Sequence, residues 1–154
     1  ARCCRKVVVD ADAIRSPLPQ AKDTIYTPHA GEFARMTGVL PPREPVPRAR
    51  AVRDAAKIGT ILLKGKTDII SDGERVRFNR TGSPLMTVGG TGDVLAGVAA
   101  ALFCHLPGFE SACLAAYVNG RAGMAVEKAF GGGMLPTDLV DRIPLELFRM
   151  SEST

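Results

Sequence analysis

The chain has 154 residues, the size of one domain with a core of its own. A content of 45% hydrophobic and 23% charged residues is that of a folded globular chain and excludes disordered and collagen-like architectures. The net charge of +4 suits an anionic ligand, but only Arg43, Arg48, Arg50 and Arg53 cluster in sequence, and 5% aromatic residues is too few for a base-stacking surface, which argues against nucleic acid as a partner.

No apolar run approaches the roughly 20 residues needed to cross a bilayer, the longest being Val94 to Cys104. The start, Ala1 to Lys6, has neither the apolar stretch nor the cleavage site of a secretory signal, so a cytoplasmic protein without membrane contact is expected. Cys3, Cys4, Cys104 and Cys113 do not have zinc spacing and read as reduced thiols; no metal-ligand cluster is expected.

In chain order, Lys6 to Asp10 is a short β-branched run, apolar on both faces, which predicts a buried parallel strand. Thr24 to Thr27 predicts a second strand, stopped by Pro28. Gly31 to Thr37 predicts a short helix closed by Gly38, and Pro41, Pro42, Pro45 and Pro47 an irregular connection. Arg48 to Ile58 predicts a helix ending at Gly59, and Thr60 to Lys64 another buried strand. Asp68 to Ser71 and Glu74 to Phe78 predict a hairpin, with Asp72-Gly73 supplying positive φ angles.

Asp93 to His105 is apolar almost all round and predicts a buried helix; Glu110 to Phe130 predicts a long, closely packed one. Gly131 to Gly133 reads as a loop, and Pro136 to Leu147 as an amphipathic helix interrupted at Pro144. Strands alternating with helices predict a layered α/β fold with a mostly parallel sheet and ligands outside the carboxyl ends of its strands. Because the chain opens into a strand that reads as central, the sheet is expected to be incomplete on its N-terminal side.

Chemistry concentrates in Met86-Thr87-Val88-Gly89-Gly90-Thr91-Gly92-Asp93-Val94-Leu95-Ala96-Gly97. Glycines let the backbone approach a ligand closely, and the free N–H groups of a first helical turn form an anion site. Asp93 reads either as a base acting on a substrate hydroxyl or as a helix cap. No Gly-Lys-Ser/Thr follows, so this is not a Walker loop, and its late position does not fit a dinucleotide fingerprint.

Gly90-Thr91-Gly92-Asp93 resembles the anion-hole signature of the ribokinase-like superfamily. Val9-Asp10-Ala11-Asp12-Ala13, Thr27-Pro28-His29-Ala30-Gly31-Glu32-Phe33, Leu63-Lys64-Gly65-Lys66-Thr67-Asp68 and Thr81-Gly82-Ser83-Pro84, in this order, narrow the resemblance to the ADP-dependent NAD(P)H-hydrate dehydratase family, from Lys6 to about Leu147. The resemblance implies a ribokinase-like α/β/α fold. It also implies dehydration of hydrated NADH or NADPH with an adenine nucleotide, ADP or ATP, accompanied by Mg2+.

By the same resemblance, Asp93 contacts the hydrated ring and transfers its proton, His29 contacts substrate and Glu32 supports it. Lys64, Gly65, Lys66, Thr67 and Asp68 hold the nucleotide, with Gly92 beside its phosphates and Gly89, Gly90 and Thr91 completing the turn. Asp10 and Asp12 match pocket-wall acids, Asp12 reading equally well as a turn residue. Each has a plainer reading: His29 as a cap of the following helix, Lys64 and Lys66 as ordinary strand-end lysines.

Two departures from the family pattern stand out. Ser83 and Leu85 replace asparagine and glycine around Pro84; serine keeps a hydrogen-bonding oxygen, whereas leucine is expected to crowd the nucleotide. The family also carries a long segment before the position matching Lys6, so the chain reads as the C-terminal half of a dehydratase domain. A homo-oligomer, or a fused or associated epimerase, is compatible with the family. Two other functions compete: a ribokinase-like kinase of a small vitamin-precursor alcohol, and a catalytically incomplete nucleotide-binding fragment.

Overall fold

The computed structural model describes residues 5–151, so the Cys3–Cys4 pair lies outside the described residues. Five strands, β1 (Lys6–Val9), β2 (Asp23–Tyr26), β3 (Thr60–Leu63), β4 (Asp68–Ser71) and β5 (Val76–Asn79), form one sheet in that order. β1, β2 and β3 pair in parallel and β4 and β5 in antiparallel fashion, so all strands but β4 run the same way.

Alternation along the strands builds two cores. Ile25, Leu62 and Ile70 face one side and pack on Leu95, Ala99 and Phe103 of α3 (Thr91–Phe103) and on Phe109, Ala112, Ala115 and Ala116 of α4 (Gly108–Phe130). Tyr26, Ile61, Leu63 and Ile69 face the other and pack on Phe33 of α1 (Ala30–Thr37) and Val52 of α2 (Pro45–Ala55). The result is the predicted α/β/α layering. A third cluster joins α4 to α5 (Pro136–Ser151) through Val118, Ala122, Val126, Leu139 and Ile143.

Several elements differ from their sequence reading, each for a local reason. β1 is less buried than predicted: Val7 and Val8 are half-exposed, because among the described residues the strand is paired along one edge only, by β2. α2 begins at Pro45 rather than Arg48, since prolines in a first helical turn forgo no intrahelical hydrogen bond. In the hairpin only Gly73 has a positive φ (+93°). Asp72 shapes the turn instead with its side chain, Oδ1 accepting the N–H groups of Glu74 and Arg75.

α3 buries one stripe, Thr91, Leu95, Ala99 and Phe103, and exposes Gly97, Ala100 and Ala101, so its small apolar residues do not make it a buried helix. α5 runs through Pro144 without a break to Ser151. The carbonyl that loses its partner there belongs to Val140, a residue on the exposed face of the helix.

Candidate active site

The three parallel strands end at one place. Asp10 follows β1, Thr27 follows β2 and Lys64 follows β3. Asp10 Oδ1 accepts hydrogen bonds from Thr27 Oγ1 and Lys64 Nζ, both at 2.8 Å. The chain turns sharply after Asp10, with Ala11 in the left-handed region at φ +50°, a conformation costing an L-residue about 1 kcal/mol. Asp12, 3.8 Å from Arg35 Nη1, has an almost fully exposed side chain and stands in the turn.

α1 enters from β2 through a reciprocal cap. His29 Nδ1 accepts the N–H groups of Gly31 (3.0 Å) and Glu32 (3.2 Å), while Glu32 Oε2 accepts the N–H of His29 at 2.7 Å. The capping role read from sequence is therefore real, and it leaves the imidazole 58% exposed, with Nε2 at 3.2 Å from Glu32 Oε1. Glu32 is buried, and its Oε2 lies 3.8 Å from Lys64 Nζ.

Against this group of charges sits the N-terminus of α3. A Cβ at Gly92 would stand 3.4 Å from Lys64 Nζ and 3.9 Å from Asp10 Oδ2, so the absence of a side chain there brings the helix backbone up to the charged cluster. Gly90, the N-cap, has φ +97° and makes no side-chain cap, leaving first-turn N–H groups open to a ligand. Thr91 is buried, its hydroxyl proton shared between the carbonyls of Met86 (2.7 Å) and Val88 (3.0 Å), which holds the turn in shape. Gly89 faces open space. Asp93 is exposed and has no hydrogen-bond or ion-pair partner among the described residues.

The Lys64–Asp68 loop divides in two. The Lys64 amine turns inward to Asp10 and Glu32, whereas Lys66 is exposed on the loop. Asp68 anchors the loop: Oδ1 accepts the Gly65 N–H at 3.0 Å, and Oδ2 accepts from Asn79 Nδ2 at 2.9 Å. Ser83 caps the 3₁₀ turn Pro84–Thr87, its oxygen accepting the Leu85 N–H. Leu85 packs on the core shared by α4 and α5, which draws it away from the open surface where it was expected to crowd a nucleotide.

The structure thus brings together Asp10, His29, Glu32, Lys64 and the Gly89–Asp93 turn, and holds Thr67, Asp68 and Ser83 in the loops beside them. Sequence reasoning missed Thr27, which orients Asp10 and already stood in the motif ending β2. It also missed Pro136, whose ring would meet a Cβ on Gly90 at 2.7 Å and so supports the turn from α5.

Two consequences are measurable. Burial raises the Asp68 carboxyl above its ordinary value, against the hydrogen bonds from Asn79 and Gly65 and the Lys64 charge. The folded chain therefore holds that proton more tightly than the unfolded chain. The stabilisation from Asp68 is fully present below the ordinary carboxylate value and is lost as pH rises through the raised one. The thermal midpoint of the wild type is expected to gain on that of Asp68→Asn as pH falls through this window; an unchanging gap would refute it. Separately, Lys64→Met leaves Asp10 and Glu32 without their shared cation. A loss of about 1–3 kcal/mol in urea unfolding is expected, reduced by the partial exposure of the cluster.

A family model described as NAD(P)H-hydrate dehydratase matches residues 1–145. The chain belongs to the NAD(P)H-hydrate dehydratase family. It is 58% identical over 145 residues to the bifunctional NAD(P)H-hydrate repair enzyme of Methanospirillum hungatei, covering 94% of this chain and 30% of that protein. It is 49% identical over 126 residues to the ADP-dependent (S)-NAD(P)H-hydrate dehydratase of Cenarchaeum symbiosum, covering 80% of this chain and 44% of that one.

Among solved structures, the ADP/ATP-dependent NAD(P)H-hydrate dehydratase of Bacillus subtilis, co-crystallised with ATP and Mg2+, superposes with a TM-score of 0.80 at 31% identity, covering 94% of this chain and 55% of that one. A hydroxyethylthiazole kinase from Pyrococcus horikoshii, at 22% identity and a TM-score of 0.64, shares the fold. This member of the dehydratase family spans less than half the length of those two curated relatives and about half of the Bacillus structure.

Proposed function

We propose that the site serves the adenine-nucleotide-dependent dehydration of the S-epimer of hydrated NADH and NADPH. The supporting observation is the glycine-lined, uncapped N-terminus of α3, set at the carboxyl ends of three parallel strands, which presents the unpaired Asp93 carboxylate from its own first turn. Family membership supplies the substrate class.

Hydroxide leaves a ring carbon poorly. In this reading Asp93 takes the proton of the ring hydroxyl as its oxygen attacks the terminal phosphoryl group of the nucleotide. The bond from that phosphorus to the nucleotide breaks, and the turn's N–H groups balance the negative charge. The ring C–O bond then breaks with its electron pair leaving on inorganic phosphate, and the neighbouring carbon gives up a proton to water, the electrons of its C–H bond forming the double bond. The Lys64–Asp68 loop lies beside the turn to receive the nucleotide.

Asp10 and Glu32 are already tied to Lys64, and the described residues hold no group of three or more His, Cys, Asp or Glu that could cage a metal. The side chains therefore form no all-protein cage for a magnesium ion. One accompanying the nucleotide would be held by phosphate oxygens and water, and no step above depends on it. The described helices include none long and apolar enough to cross a membrane, and Cys104 and Cys113 are free thiols; we place the work in the cytoplasm. The family resemblance makes a fused or associated epimerase part of the same reading, and the Methanospirillum relative is named bifunctional.

The deciding experiment offers hydrated NADH with ADP to the full translated product of the gene and follows the return of nicotinamide absorbance alongside calorimetric titration with ADP. Recovery that depends on nucleotide and yields AMP and phosphate is expected. Phosphate transfer from ATP to a vitamin-precursor alcohol, with no absorbance recovered, would overturn the reading in favour of a kinase. ADP binding without turnover would reduce the protein to a nucleotide-binding module.

A further inference from the structure

A second cleft opens at the other end of the sheet, where β2 and β3 begin. It has a volume of about 340 Å³, at the small end of the range for ligand pockets, and is lined by Lys22, Thr24, Lys57, Thr60, Phe103 and Gly108 among others. The four residues of β3 separate it from Lys64, a span of about 13 Å. None of the side chains gathered around the Gly89–Asp93 turn reaches it.

Thr60 gives this cleft its chemistry. The residue is 7% exposed, yet its hydroxyl has no hydrogen-bond partner among the described residues. A buried hydroxyl left in that state forgoes a bond that a ligand can supply. It stands against the first turn of α4, since a Cβ on Gly108 would lie 3.0 Å from Thr60 Oγ1. Glycine at that position keeps the space between the hydroxyl and the helix end open. Pro107, the N-cap of α4, brings no side-chain acceptor, and the N–H groups of Gly108 and Phe109 take no partner among the described residues. In a helix of 23 residues those groups carry the positive end of the dipole.

The charges favour the same kind of ligand. Lys22 and Lys57 are exposed, and neither ammonium group pairs with an acid among the described residues. Two of the nearby acids, Asp72 and Glu110, are held by Arg75 at 2.8 and 2.6 Å. A third, Asp23, is exposed, so water and salt screen it.

We propose that this cleft is a second ligand site, which takes the phosphoryl group of a small molecule. Thr60 Oγ1 and the first-turn N–H groups of α4 donate hydrogen bonds to its oxygens, and the ammonium groups of Lys22 and Lys57 balance its charge. Two cations beside a helix N-terminus suit a dianion better than a carboxylate. The site is independent of the reaction proposed above and stands or falls without it.

Calorimetric titration of the full translated product with inorganic phosphate, at constant ionic strength, tests the proposal. Thr60→Val keeps the shape of the side chain and removes the donor; phosphate affinity is expected to fall about tenfold or more, as for a lost hydrogen bond to a charged group. Thr60→Ser, which keeps the hydroxyl, should retain the affinity. Lys57→Met should weaken binding and flatten its dependence on salt; its exposed side chain makes it the deciding variant should Thr60→Val fail to fold. An isotherm that neither Thr60→Val nor Lys57→Met alters would place phosphate elsewhere, at the α3 turn, and overturn the proposal. So would an absence of phosphate binding in the wild type. Acetate that displaced phosphate at equal concentration would assign the cleft to carboxylates and overturn the phosphoryl class.

Discussion

Asp93→Asn is expected to lower kcat for hydrated NADH by about 10²- to 10⁴-fold, the range for loss of a positioned acid or base, while ADP binding persists. The two halves of this expectation have separate physical sources. In the proposed reading nucleotide affinity draws on backbone N–H groups and on glycines without a Cβ, none of which the substitution alters. Removing a negative charge beside bound phosphates would, if anything, tighten that binding.

In the same reading proton acceptance rests on the carboxylate alone. Asp93 is exposed and unpaired among the described residues, so no structural ion pair is lost with it. The stability cost is confined to the favourable placement of an acid in a first helical turn, about 0.3–1 kcal/mol. Single-turnover rates on the full translated product, with calorimetric ADP titration beside them, measure both quantities. An unchanged rate would remove Asp93 from the chemistry and leave it as a helix-terminal acid.

Gly120→Ala is expected to cost the most stability of any single methyl addition near the site. A Cβ there would fall 2.2 Å from Thr81 Oγ1 and 2.6 Å from both the carbonyl carbon and oxygen of Thr81. A side chain could rotate away, but backbone atoms cannot. Thr81 is further held by its hydroxyl, whose proton lies between Asn79 Oδ1 (2.8 Å) and the Tyr117 carbonyl (3.1 Å).

α4 and the segment leaving β5 must therefore separate, at the upper end of the roughly 1–3 kcal/mol typical of overpacking. For a domain of this size that is about 2–4 °C of thermal midpoint for each kcal/mol. The displaced strand leads through Ser83 and Met86 to the Gly89–Asp93 turn, so ADP affinity should weaken with stability. A midpoint within a degree of wild type would show that the contact between Thr81 and Gly120 yields more easily than its atoms suggest.

How much of this was legible beforehand differs from element to element. Strands β2 and β3 and the long helix α4 follow from apolar runs bounded by glycine and proline, and those local signals survive in the folded chain. Glycines flanking Asp93 likewise declare a close-approach turn before any fold is known, because only a missing Cβ makes that backbone available.

What local pattern could not supply was the setting of each element. β1 has the composition of a central strand, yet its burial depends on which neighbours pair with it. α5 has a proline that would stop an isolated helix, but the carbonyl released there belongs to the exposed Val140, and packing on α4 carries the helix through.

The same division runs through the site. Residue identity and chain order alone determined that a glycine-lined turn, a histidine, acids at strand ends and a lysine-bearing loop exist in this protein, since each is written in a few consecutive residues. Tertiary structure alone decided that the Lys64 amine turns to Asp10 and Glu32 rather than outward with Lys66, and that Pro136 supports Gly90. It also decided which of the acids stands unpaired. Those facts depend on the meeting of segments far apart in the chain, brought to one point because parallel strands end together.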